Sequence, residues 1–225
     1  AHGANVANMA QVEDMVKQAM AKWGRIDILV NNAGILRDKS FGKMSLDEFR
    51  LVIDVHLMGS VNCTKAVWDI MKQQNYGRIV MTSSSSGIFG NFGQSNYSAA
   101  KMAVIGLMNT LSIEGQKNNI HVNGLAPTAL TQMTEGLMPE NSKDLLTPET
   151  VTPAVLFLCS ENAPTKIIMG AGAGTFAVSR IYETDGLWLP EDQQSPEGIA
   201  ANWDKIYNNA EQKELAGAWE QTLKF

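Results

Sequence analysis

A chain of 225 residues with 44% hydrophobic content suits one domain with a full apolar core. Its net charge of −5 and the lack of any basic stripe argue against nucleic acid as the main partner. No apolar run approaches the ~20 residues that cross a bilayer, and Cys63 and Cys159, both in apolar helical stretches, read as small buried residues of a reducing compartment.

The opening Ala1-His2-Gly3-Ala4 reads as a loop and residues 5–8 as a short strand. Val12, Met15, Val16, Ala19, Met20 and Trp23 mark one helical stripe. Residues 26–30 form an apolar run broken only by Asp27, which suits a buried parallel strand. Ser45 with Glu48 makes a capping-box pattern, and the helix it opens is expected to reach about Gln73. A strand at 78–82, a helix at 96–116 and a strand at 120–125 follow. Pro148 opens a helix that runs through Ser160. The run Gly170-Ala171-Gly172-Ala173-Gly174 leads into a strand-like segment rather than a helix, so it predicts a turn between late strands and not a phosphate cradle. Ser195-Pro196-Glu197 supplies the cap, first turn and acidic start of a late helix. Alternation of strands and helices with short connections predicts an α/β fold, a doubly wound parallel sheet of Rossmann type, within one domain over 1–225.

Tyr97 and Lys101 lie four apart on the predicted helix at 96–116, so both side chains leave one face. A neighbouring ammonium stabilises a phenolate, and a tuned tyrosine can exchange a proton with an alcohol or ketone. Upstream, one apolar strand ends in Asn31-Asn32-Ala33-Gly34 and another in the serines 83 to 86. His2, His56 and His121 share no ligand spacing, so no metal site is expected.

This ordered set of motifs resembles the short-chain dehydrogenase/reductase family over almost the whole chain. Within it, Asn32-Ala33-Gly34-Ile35-Leu36-Arg37-Asp38, Asn75-Tyr76-Gly77-Arg78-Ile79, the stretch from Gly87 to Gln94 and the segment from Ala201 to Ile206 resemble the (R)-3-hydroxyacyl-CoA dehydrogenases of peroxisomal multifunctional enzymes and their bacterial relatives. The resemblance implies an oxidoreductase that moves a hydride between NAD(H), with NADP not excluded, and C3 of a 3-hydroxyacyl or 3-oxoacyl thioester. It implies Tyr97 as acid/base, Lys101 as its electrostatic partner and ribose ligand, and Ser84, thirteen residues before Tyr97, as holder of the substrate oxygen. His56 stands where most members carry a relay asparagine; it reads equally as a relay residue or as a satisfied helix histidine. Asn31, Ala33 and Gly34 would line the adenine-ribose side, and Pro127, Thr128 and Thr131 the nicotinamide side. Residues 128–139, with Met133, Leu137 and Met138, would form a substrate lid.

In that family a strand, a glycine-rich turn and a helix come first. No such run lies near the start here, so the first two strand–helix units, roughly 60 residues, are expected to be missing. The family's adenine-side aspartate has no counterpart near Met9 or Ala10. A truncated, non-catalytic relative that associates through the helices at 45–73 and 96–116 is the alternative. The resemblance further implies a homodimer or tetramer, with no membrane partner, placed in a cytoplasm or, alternatively, a peroxisome.

Overall fold

The computed structural model describes residues 1–131 and 144–224. The chain forms two compact units, Ala1–Ser179 and Arg180–Phe225. In the first unit, helix α1 (Met9–Trp23) precedes strand β1 (Ile28–Asn31), helices α2 (Leu46–Ile53) and α3 (Gly59–Gln74), and strand β2 (Gly77–Thr82). Helix α4 (Ser85–Phe89), helix α5 (Ser95–Gly115) and strand β3 (Ile120–Pro127) come next. Helix α6 (Thr152–Leu158) and strands β4 (Ile168–Gly172) and β5 (Thr175–Ser179) complete it.

The five strands lie in the order β1-β2-β3-β4-β5, with the first four parallel and β5 antiparallel to β4. A mostly parallel sheet flanked by helices is the predicted Rossmann-like arrangement. The glycine run folds as predicted. Ala173 and Gly174, both at positive φ, turn the chain between β4 and β5, as a tight hairpin requires.

Strand alternation sends successive side chains to opposite faces. Ile79 and Met81 of β2 join Val67 and Met71 of α3 and Val104, Ile105 and Met108 of α5 in one core. Val80 points the other way, into a second core with Leu125, Val151, Ala154 and Leu158. Arg78 fastens α6 to the sheet. It is buried, its Nε donates to Ser160 O at 2.9 Å, and its guanidinium also reaches Glu161 O and Asn119 O. Strand β1 pairs with β2 alone among the described residues, and Ile28 and Val30 are partly exposed on it.

Three expectations differ from the structure. Residues 5–8 form no strand: Asn5 Oδ1 accepts from Ala7 N, a local turn that competes with extended pairing, and Asn8 then caps α1 through Gln11 N. The helix expected over 45–73 is interrupted by a π-helical turn, Asp54–Met58, between α2 and α3. Its start keeps the capping box on Ser45 and Glu48. The helix expected over 148–160 divides into a 3-10 turn, Pro148–Thr150, and α6.

The second unit pairs β6 (Glu183–Thr184) with β7 (Gln212–Lys213) and carries short helices α7 (Pro196–Ala201), α8 (Trp203–Ile206) and α9 (Ala218–Lys224). Ser195 caps α7 by accepting from Gly198 N, as its Ser-Pro-Glu start predicts. Among the described residues no helix is long and apolar enough to cross a membrane.

Ile79 is wholly buried at the centre of the larger core. Ile79→Ala is expected to lower unfolding stability by ~2–5 kcal/mol through lost transfer energy and a cavity, read by denaturant titration.

Candidate active site

A cleft of about 640 Å³ opens where β1, β2 and β3 end. In open α/β sheets, ligands bind beyond the carboxyl ends of the strands. Tyr97 and Lys101 line it from the first turns of α5, and Thr82 and Ser83 from the end of β2. His56 enters it from the π-helical turn, and Val151, Val155 and Leu156 form an apolar wall.

Lys101 is 4% exposed and its Nζ donates to Thr82 O at 2.5 Å. Burial pulls its ammonium down to about 8. The Nζ sits 5.5 Å from the centroid of the Tyr97 ring. Burial pushes the Tyr97 phenol above its ordinary value; Ser84 opposes that shift through a hydrogen-bonding interaction, and the Asp38 carboxylate reinforces it. The phenol is therefore protonated near neutral pH.

Ser84 accepts from Ser86 N as the cap of α4 while facing Tyr97. Ser83 is engaged otherwise: its Oγ donates to Lys101 O at 2.7 Å. Helix α4 can sit this close to α5 because residue 87 is glycine. A Cβ there would lie 2.7 Å from Lys101 Cβ.

His56 is 2% exposed, and its ring meets the Tyr97 ring edge-on at 5.1 Å. Both backbone groups of Ile35 meet its Nε2, the N–H at 2.9 Å and the carbonyl at 2.8 Å, so the ring is held there in either neutral tautomer. Nδ1 is buried and has no hydrogen-bond partner among the described residues. Burial first, then the Lys101 charge, push His56 down to about 4, with the Ile35 backbone pulling upward. The imidazole is neutral at pH 7.

Of the residues expected on the cofactor side, Gly34, Pro127 and Thr131 line the cleft. Asn31 turns into the core, where its amide donates to Thr64 Oγ1. Thr128 N is bound to Ala171 O, and neither Thr128 nor Ala33 lines the cleft. Of the expected lid, 132–139, with Met133, Leu137 and Met138, lies outside the described residues. Sequence reasoning passed over Asn32, which lines the cleft and whose Oδ1 accepts from Thr82 Oγ1. It also passed over the α6 wall, although Val151 and Val155 sit at i,i+4 spacing. Among the described residues no group of histidine, cysteine and carboxylate side chains could hold a metal.

The arrangement can deliver and accept a proton at the Tyr97 oxygen, beside a hydroxyl and a buried ammonium. Lys101 spends one of three ammonium protons on Thr82 O, which leaves donors suited to ribose hydroxyls. Together with Asn32, Pro127 and Thr131, it fits the nicotinamide riboside end of a dinucleotide.

A family model described as short chain dehydrogenase matches residues 1–143. The chain is 50% identical over 216 residues to peroxisomal multifunctional enzyme type 2 of mouse, covering 92% of this chain and 29% of that one. It therefore spans less than a third of that relative's length. It is 42% identical over 167 residues to a 3-oxoacyl-(acyl-carrier-protein) reductase of Synechocystis, covering 71% of this chain and 68% of the relative. The solved structure of full-length peroxisomal multifunctional enzyme type 2 from Drosophila melanogaster matches with a TM-score of 0.80 at 40% identity, over 94% of this chain and 38% of that one.

A Cβ on Gly34 would lie 2.4 Å from His56 Cε1. Gly34→Ala is expected to destabilise the protein, and Gly34→Ala with His56→Ala to be less destabilising than the sum of the single changes; a double-mutant cycle in denaturant measures that coupling. Because the folded His56 value lies below its ordinary 6.5, the unfolded chain binds the proton first. Stability is thus lost as pH falls from 6.5 towards about 4, and His56→Gln is expected to flatten the unfolding profile across that window.

Proposed function

We propose, for a chain that belongs to the short-chain dehydrogenase family, that it interconverts a 3-hydroxyacyl and a 3-oxoacyl thioester, with coenzyme A as the carrier and NAD(H) as the redox partner. The observation that carries this reading is that Tyr97 and Lys101 line the cleft at the mouth of the parallel sheet, with the Ser84 side chain in hydrogen-bonding reach of Tyr97 although Ser84 does not itself line the cleft. The mouse relative named as a peroxisomal multifunctional enzyme supports a peroxisomal location over a cytoplasmic one, and the coenzyme A carrier rests on the motif resemblance. The Synechocystis relative supports the same carbon chemistry on a different carrier.

A nicotinamide supplies hydride to C3, or takes it away, when bound. In reduction, Tyr97 gives its proton to the oxygen that becomes the alcohol, and Ser84 donates a hydrogen bond to that oxygen as charge grows on it. Lys101 then faces a phenolate, and its positive charge stabilises that product of proton transfer. His56, neutral and with an Nδ1 that has no partner among the described residues, can carry a proton between the cleft and Tyr97. In oxidation the order reverses, and the Tyr97 phenolate takes the hydroxyl proton. The apolar α6 wall of Val151, Val155 and Leu156 offers the acyl chain a surface free of competing hydrogen bonds. Leu51, Met102 and Ile113 stand exposed on α2 and α5 and support association of those helices with a second copy.

Tyr97→Phe in the active enzyme is expected to lower turnover by ~10²–10⁴-fold or more while NADH still quenches protein fluorescence with unchanged affinity. Turnover near the wild-type rate in that variant sinks the assignment. Assay of matched 3-oxoacyl substrates on coenzyme A and on acyl carrier protein decides the carrier.

A further inference from the structure

Asn96 is wholly buried in the first turn of α5, and both ends of its side-chain amide are bound to backbone. Its Oδ1 accepts from Tyr97 N at 2.7 Å, and its Nδ2 donates to Arg37 O at 3.0 Å. The N–H groups of a helix's first turn have no intrahelical acceptor. Side chains cap α1, α2 and α7 from the residue before each helix, whereas Gln94, before α5, makes no such bond. Gln94 Nε2 donates instead to Asp38 Oδ2 at 2.7 Å, beside a backbone bond from Lys39 N to Gly93 O at 2.9 Å. Asn96 thus takes up one first-turn N–H from inside the helix, and that N–H belongs to Tyr97.

The other end of the amide leads towards His56. Arg37 lies two residues after Ile35, whose N–H and carbonyl both meet His56 Nε2, at 2.9 Å and 2.8 Å. One short stretch of backbone, residues 35–37, therefore carries both anchors. Consecutive Cα atoms across a trans peptide stay ~3.8 Å apart, so the two anchors cannot drift far from each other. The rings they serve meet edge-on at 5.1 Å.

We propose that Asn96 is a positioning residue, which holds the backbone of Tyr97 in register with His56 through residues 35–37. The inference rests on the reading of Tyr97 as the acid/base. A buried amide bound at both ends has one orientation open to it, since turning it over would set its NH2 against the Tyr97 N–H and its oxygen against the Arg37 carbonyl. The first turn of α5 is thereby fixed to the segment that grips the imidazole. Without Asn96, the bonds from Gln94 and Lys39 still close the seam, but Tyr97 N loses its acceptor. The phenol then shifts relative to the imidazole, to Ser84 and to the reacting oxygen. A displacement of ~1 Å at a reacting group costs up to ~10²-fold in rate.

The test compares two buried amides in the active enzyme. Asn123 of β3 is also wholly buried and also bridges backbone: its Nδ2 donates to Pro164 O at 2.7 Å and its Oδ1 accepts from Ile167 N at 3.2 Å, but it does not line the cleft. Fluorotyrosine is placed at position 97 and its resonance followed by fluorine NMR, which needs no turnover. Asn96→Ala is expected to move or broaden that resonance and, in the unlabelled enzyme, to lower kcat by ~10–100-fold with Kd for NADH within about twofold. Asn96→Ser, too short to reach both partners, replaces it if the alanine variant does not fold. Asn123→Ala is expected to lower unfolding stability while the resonance and kcat stay in place. An unmoved resonance, or kcat within about twofold of the wild type, in the folded Asn96 variant overturns the proposal. Equal effects in Asn123→Ala overturn it too, because loss of any buried amide would then suffice. If Tyr97→Phe keeps its turnover, the acid/base reading fails, while the resonance still reports whether Asn96 holds the ring.

Discussion

Everything at the cleft depends on one buried ammonium. Lys101 is tied to the end of β2 twice, through its Nζ to Thr82 O and through its own carbonyl to Ser83 Oγ, and its backbone packs closely against Gly87 of α4. These ties set the distance between the strand end and α5, and with it the approach of Ser84 to Tyr97. They also carry an electrostatic cost. A buried cation with one carbonyl partner among the described residues is poorly solvated, and its fall to about 8 reflects that burial. An oxygen-rich ligand, or a phenolate formed beside it, relieves part of that cost. On the proposed reaction, the site is thereby matched to the state in which a proton has just left Tyr97.

The same constraint explains why the neutral partner at the cleft is a histidine held by backbone. A second cation there would raise the cost further. His56 avoids it by burial and by the Lys101 charge, which together keep the imidazole neutral. Its position comes from the π-helical turn, where widening of the helix directs the ring at Tyr97 and not along the regular α-helical face. A helix that continued in α geometry through residues 54–58 would present a different side chain to the cleft.

How much of this was readable in advance follows the length scale of each interaction. Tyr97 and Lys101 were legible because helical spacing alone puts them on one face, and the glycine run was legible as a turn because its turn needs positive φ. The capping box at Ser45 and the cap at Ser195 are equally local. The turn at Asn5 was readable in principle, since Asn8 precedes the apolar stripe as a cap, but a brief apolar alternation read as a strand. Contacts across the sheet left no pattern. Asn31 and Asn32 are neighbours of one type, yet strand alternation sends the first into the core and the second to the cleft. Nothing in the sequence separates them without the register of β1 on β2. The Asp38–Gln94 pair joins residues 56 apart, and Arg78 binds carbonyls more than 80 residues away.

The floor and the wall of the cleft come from different stretches of chain. Thr82, Ser83, Tyr97 and Lys101 lie within twenty residues, at the end of β2 and on α5, which Lys101 ties together, whereas Val151 caps a short helix that carries Val155 and Leu156 and is secured just past its end by Arg78. Changes in the wall leave the ties of the floor in place. The two sides of the cleft are therefore mechanically separate: a change of bulk in α6 reshapes the apolar wall without disturbing the hydrogen bonds that hold Lys101.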